Sequence, residues 1–180
     1  MRKHFSIPLS ILMLACGAAH AQEKGITCWY FQNELGMTEH ANCLQYTDKA
    51  LHVRPAELKK LYFTDNYASL YSKEHGFMYV NRQGQVVVEQ VMEMEMGADY
   101  INHGFVRFIR NGKCGYAALL GKDPTIPPQF DGCYPFIGEK ALVCNGCKEF
   151  TEKEHSLYRG GTSFCINPRG QQISCDSYPQ

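Results

Sequence analysis

The sequence predicts a mainly β fold of antiparallel hairpin repeats, with a short helix near its start and disulfide staples. Three observations predict it. A short phrase recurs as Phe77-Met78-Tyr79-Val80-Asn81-Arg82-Gln83-Gly84, Cys114-Gly115-Tyr116-Ala117-Ala118-Leu119-Leu120-Gly121 and Ser163-Phe164-Cys165-Ile166-Asn167-Pro168-Arg169-Gly170. In each copy a glycine lies five residues after the third position, which reads as a strand entering a tight turn and then a second strand. Asn111-Gly112 and Asn145-Gly146 follow apolar runs, the strongest short hairpin signal. The cysteine count, taken with an export signal, supplies the staples.

Residues 1–21 read as that signal. Met1-Arg2-Lys3-His4 is a basic head, Ile7 to Ala19 is apolar apart from Ser10 and Gly17, and Ala19-His20-Ala21 has a signal-peptidase shape. The apolar run is too short to span a bilayer. Cleavage after Ala21 leaves Gln22 first. The competing reading is lipidation: Met13-Leu14-Ala15-Cys16 is similar to a lipoprotein box, which would anchor the chain through Cys16. With Arg2 and Lys3 removed, Lys and Arg fall from 18 to 16 against 18 acidic residues, a net charge near −2. No basic stripe survives, which argues against nucleic acid and against anionic lipid. The expected location is the periplasm or the exterior.

Nine cysteines less Cys16 leave eight, an even number in an exported chain. Eight thiols allow 105 complete pairings and sequence alone does not choose among them; proximity and hairpin logic rank first Cys28–Cys43, Cys114–Cys133, Cys144–Cys147 and Cys165–Cys175. Such short loops each contribute roughly 2–3 kcal/mol in the chain-entropy model.

Residues 22–65 form the N-terminal segment, in one domain with residues 66–175. Residues 22–50 mix polar and aromatic side chains, including Cys28-Trp29-Tyr30-Phe31, without helical periodicity. Pro55 to Leu61 reads as a short helix, with Pro in the first turn and Leu58 and Leu61 on one face. From Tyr67 onward strands dominate. Tyr79-Val80 and Gln85 to Val88 flank Gly84, Phe105 to Ile109 precedes Asn111-Gly112, and Ala141-Leu142-Val143 precedes Asn145-Gly146. Residues 148–162 read as a polar insertion in the third copy. It accounts for 49 residues from Gly121 to Gly170 against 37 from Gly84 to Gly121.

Gly104-Phe105-Val106-Arg107-Phe108-Ile109-Arg110-Asn111-Gly112-Lys113-Cys114-Gly115-Tyr116 resembles the opening of a WG repeat. Thr125-Ile126-Pro127-Pro128-Gln129-Phe130-Asp131 and Pro135-Phe136 resemble its continuation. Cys114 stands where the signature Trp belongs, with Phe77 and Ser163 at the equivalent places. The resemblance covers residues 66–175 and implies about three WG-like units. It also implies a bacterial repeat protein, often exported, that serves as a binding or interaction module. Cys114 in place of Trp fits a crosslinked core residue.

Several residues invite a chemical reading. Cys144-Asn145-Gly146-Cys147 has the C-x-x-C spacing of redox and zinc sites. A redox pair opens a helix, whereas this one follows a strand-like run and holds a turn, so a structural disulfide is favoured; a zinc site would recruit His155. Met92-Glu93-Met94-Glu95-Met96 alternates, which on a strand aligns three thioethers. Such a row could hold Cu(I); the favoured reading is a strand with Met92, Met94 and Met96 in the core. His40, His52, His75, His103 and His155 show no i, i+4 metal spacing, and no nucleophile elbow or phosphate loop is present. Tyr67, Tyr71, Tyr79, Tyr100, Tyr116 and Tyr134 either form a recognition surface or, as favoured here, pack sheet faces.

The expectation is a non-catalytic module without cofactor, binding a protein or envelope component, as an inhibitor or immunity-type partner does. The alternatives are a small-ligand or Cu(I) carrier using the Met row and a thiol-disulfide enzyme using Cys144 and Cys147.

Overall fold

The computed structural model describes residues 25–32, 36–95, 97–121, 123–152, 155–176 and 178. The signal, its cleavage site and Cys16 lie outside them. Among the described residues the fold is built from antiparallel strands with a single helical turn. The first strands are β1 (Ile26–Phe31), β2 (Met37–Thr47) and β3 (Ala50–Val53), followed by α1 (Pro55–Leu58). A meander of β4 (Tyr67–Ser72), β5 (Gly76–Asn81) and β6 (Val86–Val91) comes next. A two-residue hairpin, β7 (Glu93–Met94) and β8 (Gly97–Ala98), leads to a second meander, β9 (Phe105–Arg110), β10 (Lys113–Ala118) and β11 (Ile126–Phe130). Then come β12 (Gly132–Cys133), β13 (Ala141–Asn145), the hairpin β14 (Lys148–Glu152) and β15 (His155–Arg159), β16 (Thr162–Ile166) and β17 (Gln172–Ile173).

Nine strands form one sheet in the order β11-β10-β9-β6-β5-β4-β1-β2-β3, and β12-β13-β16-β17 form a second. The large sheet curls. Val53 at its β3 edge donates to Gly84 O at 2.7 Å, and His52 bridges Gln85 at the start of β6. The space so enclosed holds the first core, including Cys28, Tyr30, Leu44, Leu70, Met78 and Val80. The opposite face of β5 turns Phe77 and Tyr79 into another cluster with Val91, Val106 and Phe108. Between β9–β11 and the second sheet lies the third, with Phe105, Tyr116, Phe136, Val143 and Ile166.

Strands begin far earlier than Tyr67, where sequence patterning places them. The reason is visible in β1. Cys28 and Tyr30 point into the enclosed core, while on the outer face Trp29 packs against Tyr71 and Phe31 lines a groove with other aromatic residues. With both faces apolar, the period-two signal vanishes. Turn chemistry sets the register of the hairpins. Asp48-Lys49, Asp65-Asn66, His103-Gly104 and Asn111-Gly112 each place two successive residues at positive φ, the mirror-image turn that matches strand twist.

The recurring glycines share a positive φ, +82° at Gly84, +102° at Gly121 and +75° at Gly170. The third residue of each phrase pairs with an apolar residue of the next strand, Tyr79 with Val88, Tyr116 with Ile126 and Cys165 with Ile173. Two turns are identical in hydrogen bonding. Asn81 Oδ1 accepts from Gln83 N and Gln85 N, and Asn167 Oδ1 accepts from Arg169 N and Gln171 N, at 3.0–3.1 Å. Residues 148–152 and 155–159 pair as the β14–β15 hairpin.

The cysteines are joined as Cys28–Cys43, Cys114–Cys133, Cys144–Cys147 and Cys165–Cys175, with Cα separations of 5.7, 6.1, 6.1 and 5.2 Å. Cys114 lies in the third core beside Cys133. Gly115 next to it has no room for a side chain, since a Cβ there would stand 2.5 Å from Ile126 O. Around this point Lys113 Nζ donates to Asp131 Oδ1 at 2.5 Å, Tyr116 donates to Tyr134 O at 2.8 Å, and Phe136 stacks on Phe105.

The Met row departs from its expected form. Only Glu93 and Met94 are in a strand, and Met94 is 39 % exposed, not core; Met92 is partly buried against the third cluster, and Met96 lies outside the described residues. The chain is diverted because Met92 O accepts from Asp99 N at 2.8 Å, which closes the β7–β8 hairpin. That closure delivers Asp99 to Arg107.

Candidate functional site

Across the outer face of β1, β4 and β5 runs an aromatic groove of about 490 Å3. Its floor is Phe77 and Tyr79 of β5 with Tyr67 and Ser69 of β4, residues two apart on their strands and therefore on one face. Phe31 and Met37, directly paired across β1 and β2, stand at one side. Tyr62 and Tyr100 rise from the loops before β4 and after β8. All four of these wall residues are exposed, at 43 %, 40 %, 71 % and 64 % respectively. Large apolar side chains left open together in a concavity mark a binding surface more strongly than scattered ones do.

The floor is held from behind. Tyr67 donates to Leu119 O at 2.6 Å and Tyr79 to Asp99 O at 2.8 Å. Burial, with Asp99 and Tyr100 nearby, pushes the Tyr79 hydroxyl up to about 12, so it stays a protonated donor. Asp99 is itself fixed by Arg107, whose Nε and second terminal nitrogen meet its two carboxylate oxygens at 3.0 and 2.6 Å. Arg107 also donates to Cys133 O at 3.0 Å and approaches Met94 Sδ at 3.5 Å. Desolvation opposes the charge on Arg107, but the hydrogen bonds and charge of Asp99 outweigh it and hold the guanidinium protonated.

Beyond the groove the aromatic row continues from Phe77 to Tyr71, with centroids 5.1 Å apart, and on to Trp29 at 5.9 Å. There Lys73 Nζ sits 5.5 Å from the Trp29 ring centre.

A second cluster packs α1 against β1 and β2. Glu57 accepts from Tyr30 at 2.7 Å and from Lys60 at 2.8 Å, and lies 3.1 Å from His40 Nδ1. His40 Nε2 is 2.9 Å from Thr38 Oγ1, and its ring stacks on Tyr30. Burial raises the Glu57 carboxyl, but Lys60 and Tyr30 outweigh it and hold it below the usual range. Burial, then Glu57, pushes the Tyr30 hydroxyl up. The hydroxyl–imidazole–carboxylate order is that of acyl-transfer triads. Neither the groove nor a second hollow of about 200 Å3 beside β6 is lined by Thr38 or His40.

Of the six tyrosines singled out from sequence, Tyr67, Tyr79 and Tyr100 line the groove, Tyr71 continues the row, and Tyr116 packs the third core. Tyr134 lies edge-on to Tyr158, 5.4 Å away. Sequence reasoning missed Phe31, Met37, Tyr62 and Asp65 of the groove. The available signals were the aromatic pair Trp29 and Phe31 two residues apart, and Tyr62 beside the turn-forming Thr64-Asp65-Asn66. Cys144 and Cys147 are bonded to each other across the Asn145-Gly146 turn, with β14 rather than a helix after them.

No protein-family model, curated protein or solved structure matches the chain.

Proposed function

We propose that the chain is an exported, non-catalytic binding module of WG-like β-repeats that engages a protein partner of the cell envelope through the aromatic groove. The observation that carries this reading is the gathering of Phe31, Met37, Tyr62 and Tyr100, all exposed, over a floor whose Tyr67 and Tyr79 hydroxyls are tied to backbone carbonyls. Aromatic residues and Met are the side chains enriched at protein interfaces, and rigid rings lose little entropy on docking. The repeat reading is supported by the shared positive φ at Gly84, Gly121 and Gly170. The Lys113–Asp131 bond and the tight space around Gly115 give the motif residues of the middle copy a structural reason. Export is supported by four cysteine pairs at bonding distance, and among the described residues no helix is long and apolar enough to cross a membrane.

The groove's volume falls within the range of small-molecule sites, which favours a small ligand as the second reading. Copper carriage draws less support, because a guanidinium nitrogen already lies at the Met94 sulfur.

The test is retention from envelope extract on immobilised mature chain, beside the double variant Tyr62→Ala/Tyr100→Ala. A protein held by the parent and released by the variant supports the groove. Equal retention by both moves recognition elsewhere.

A further inference from the structure

We propose that the occupant of the groove is an arginine side chain carried on the partner protein, stacked between the exposed rings and met by Asp65. This rests on the groove being the recognition site. Among the described lining residues there is one charged side chain, Asp65, and no Lys, Arg or His. Six of the lining residues are aromatic, and aromatic faces carry the negative side of their quadrupole outward. An anion entering this space meets no compensating charge. A cation meets ring faces and a carboxylate together.

The chain already makes this contact with its own residues. At the far end of the same aromatic row Lys73 lies over Trp29, in the loop that carries Asp65 the Arg82 side chain lies 5.0 Å from the Phe63 ring centre and donates to Asn66 Oδ1 at 3.0 Å, and Arg110 lies 5.8 Å from the ring centre of Phe108. The groove end of the row has the rings and the carboxylate but no cation of its own among its described lining. Arginine suits it better than lysine. Its planar guanidinium stacks on a ring face and forks onto a carboxylate, while a hydrated ammonium does neither as well. Asp65 occupies the first central position of a mirror-image turn, at φ +49°, with Thr64 and Tyr67 bonded on either side. Backbone conformation, rather than a side-chain bond, thus holds it at the groove.

The test uses the mature chain, with ring resonances of Tyr62, Tyr100 and Phe31 followed by NMR. The probe is the blocked tripeptide Gly-Arg-Gly, beside the same peptide with Gln or Glu and a neutral trisaccharide of N-acetylglucosamine. Saturable shifts at those rings with the Arg peptide alone are expected. So is a roughly tenfold weaker response in Asp65→Asn, a change the turn tolerates because Asn also adopts positive φ. Equal response to the Gln peptide overturns the proposal, as does a response to the trisaccharide instead, or no response. Ring shifts that depend on protein concentration without ligand would assign the groove to a second copy and also overturn it. If Asp65→Asn binds the envelope partner as tightly as the parent while Tyr62→Ala/Tyr100→Ala loses it, the arginine is excluded and the groove reading stands. If neither variant loses it, both fail.

Discussion

Arg107 grips Asp99 with two parallel hydrogen bonds in a place where the two residues are only 7 % and 2 % exposed, and its backbone N–H adds a third at 2.9 Å. The pair ties the β7–β8 hairpin to β9 and, through Cys133 O, to the second sheet. It also fixes the loop whose carbonyl accepts from Tyr79 in the groove floor.

Breaking that pair from one side leaves a buried guanidinium without its anion. Asp99→Ala is expected to cost about 3–5 kcal/mol in denaturant unfolding. The double variant Asp99→Leu/Arg107→Met should recover a large part of this. A single-variant loss below about 1 kcal/mol would show that the pair is not structural.

Met94 gives the opposite expectation. At 39 % exposure it has little packing to lose, so Met94→Ala should change stability by no more than about 0.5 kcal/mol. Met92→Ala, partly buried against Phe105 and its neighbours, should cost more. Equal melting midpoints for the two variants would contradict their different placement.

Gly115→Ala tests the close approach of β10 and β11. The added methyl would meet Ile126 O at 2.5 Å and Pro128 N at 2.7 Å, both backbone atoms that cannot swing aside. A loss of about 1–3 kcal/mol is expected. Gly112→Asn is the control, because a Cβ there meets nothing within 4 Å and Asn accepts its positive φ.

Acid sensitivity should report Glu57 and Asp131. Lys113 and Gly146 N hold the Asp131 carboxyl below its ordinary value, as Lys60 and Tyr30 do for Glu57. A carboxyl depressed in the folded state adds stability above its unfolded pKa and loses it as pH falls through the folded value. The loss therefore begins near the ordinary carboxylate range of about 4. Glu57→Gln and Asp131→Asn should each flatten the stability–pH curve on that acid side and leave its shape at neutral pH unchanged. A slope equal to the parent's would remove these groups from the linkage.

How far the sequence was legible depends on whether a residue's role was local. The hairpin at Asn111-Gly112 and the turn chemistry at Gly84 and Gly170 are written in adjacent residues, as are four cysteine pairs that are near in sequence. The mainly β class follows from them. The curl that brings Val53 to Gly84 has no local signature, because it depends on the summed twist of six strands. The Met row misled for a related reason. Alternation of Met and Glu describes a strand equally well in a long hairpin or a two-residue one, and the choice was made by Asp99, which reaches Met92 and Arg107 from farther along the chain. The groove was half legible: Tyr67, Tyr79 and Tyr100 stood out as tyrosines, but nothing in their spacing places Tyr62 and Phe31 opposite them.

The cystine connectivity has one more consequence. Along the described chain each cysteine is bonded to the next cysteine in order, at separations of 15, 19, 3 and 10 residues. A chain threading into an oxidising space from its N-terminal end would therefore meet its correct partner at every step. From Cys28 onward the second thiol of each pair emerges before the first thiol of the next, so pairing in order of emergence gives the observed set. The same order leaves residues 44–113 without a covalent staple, and that stretch carries β4, β5 and most of the groove. A single protease cut there would yield two fragments with no covalent bond between them, held together by sheet hydrogen bonds and core packing.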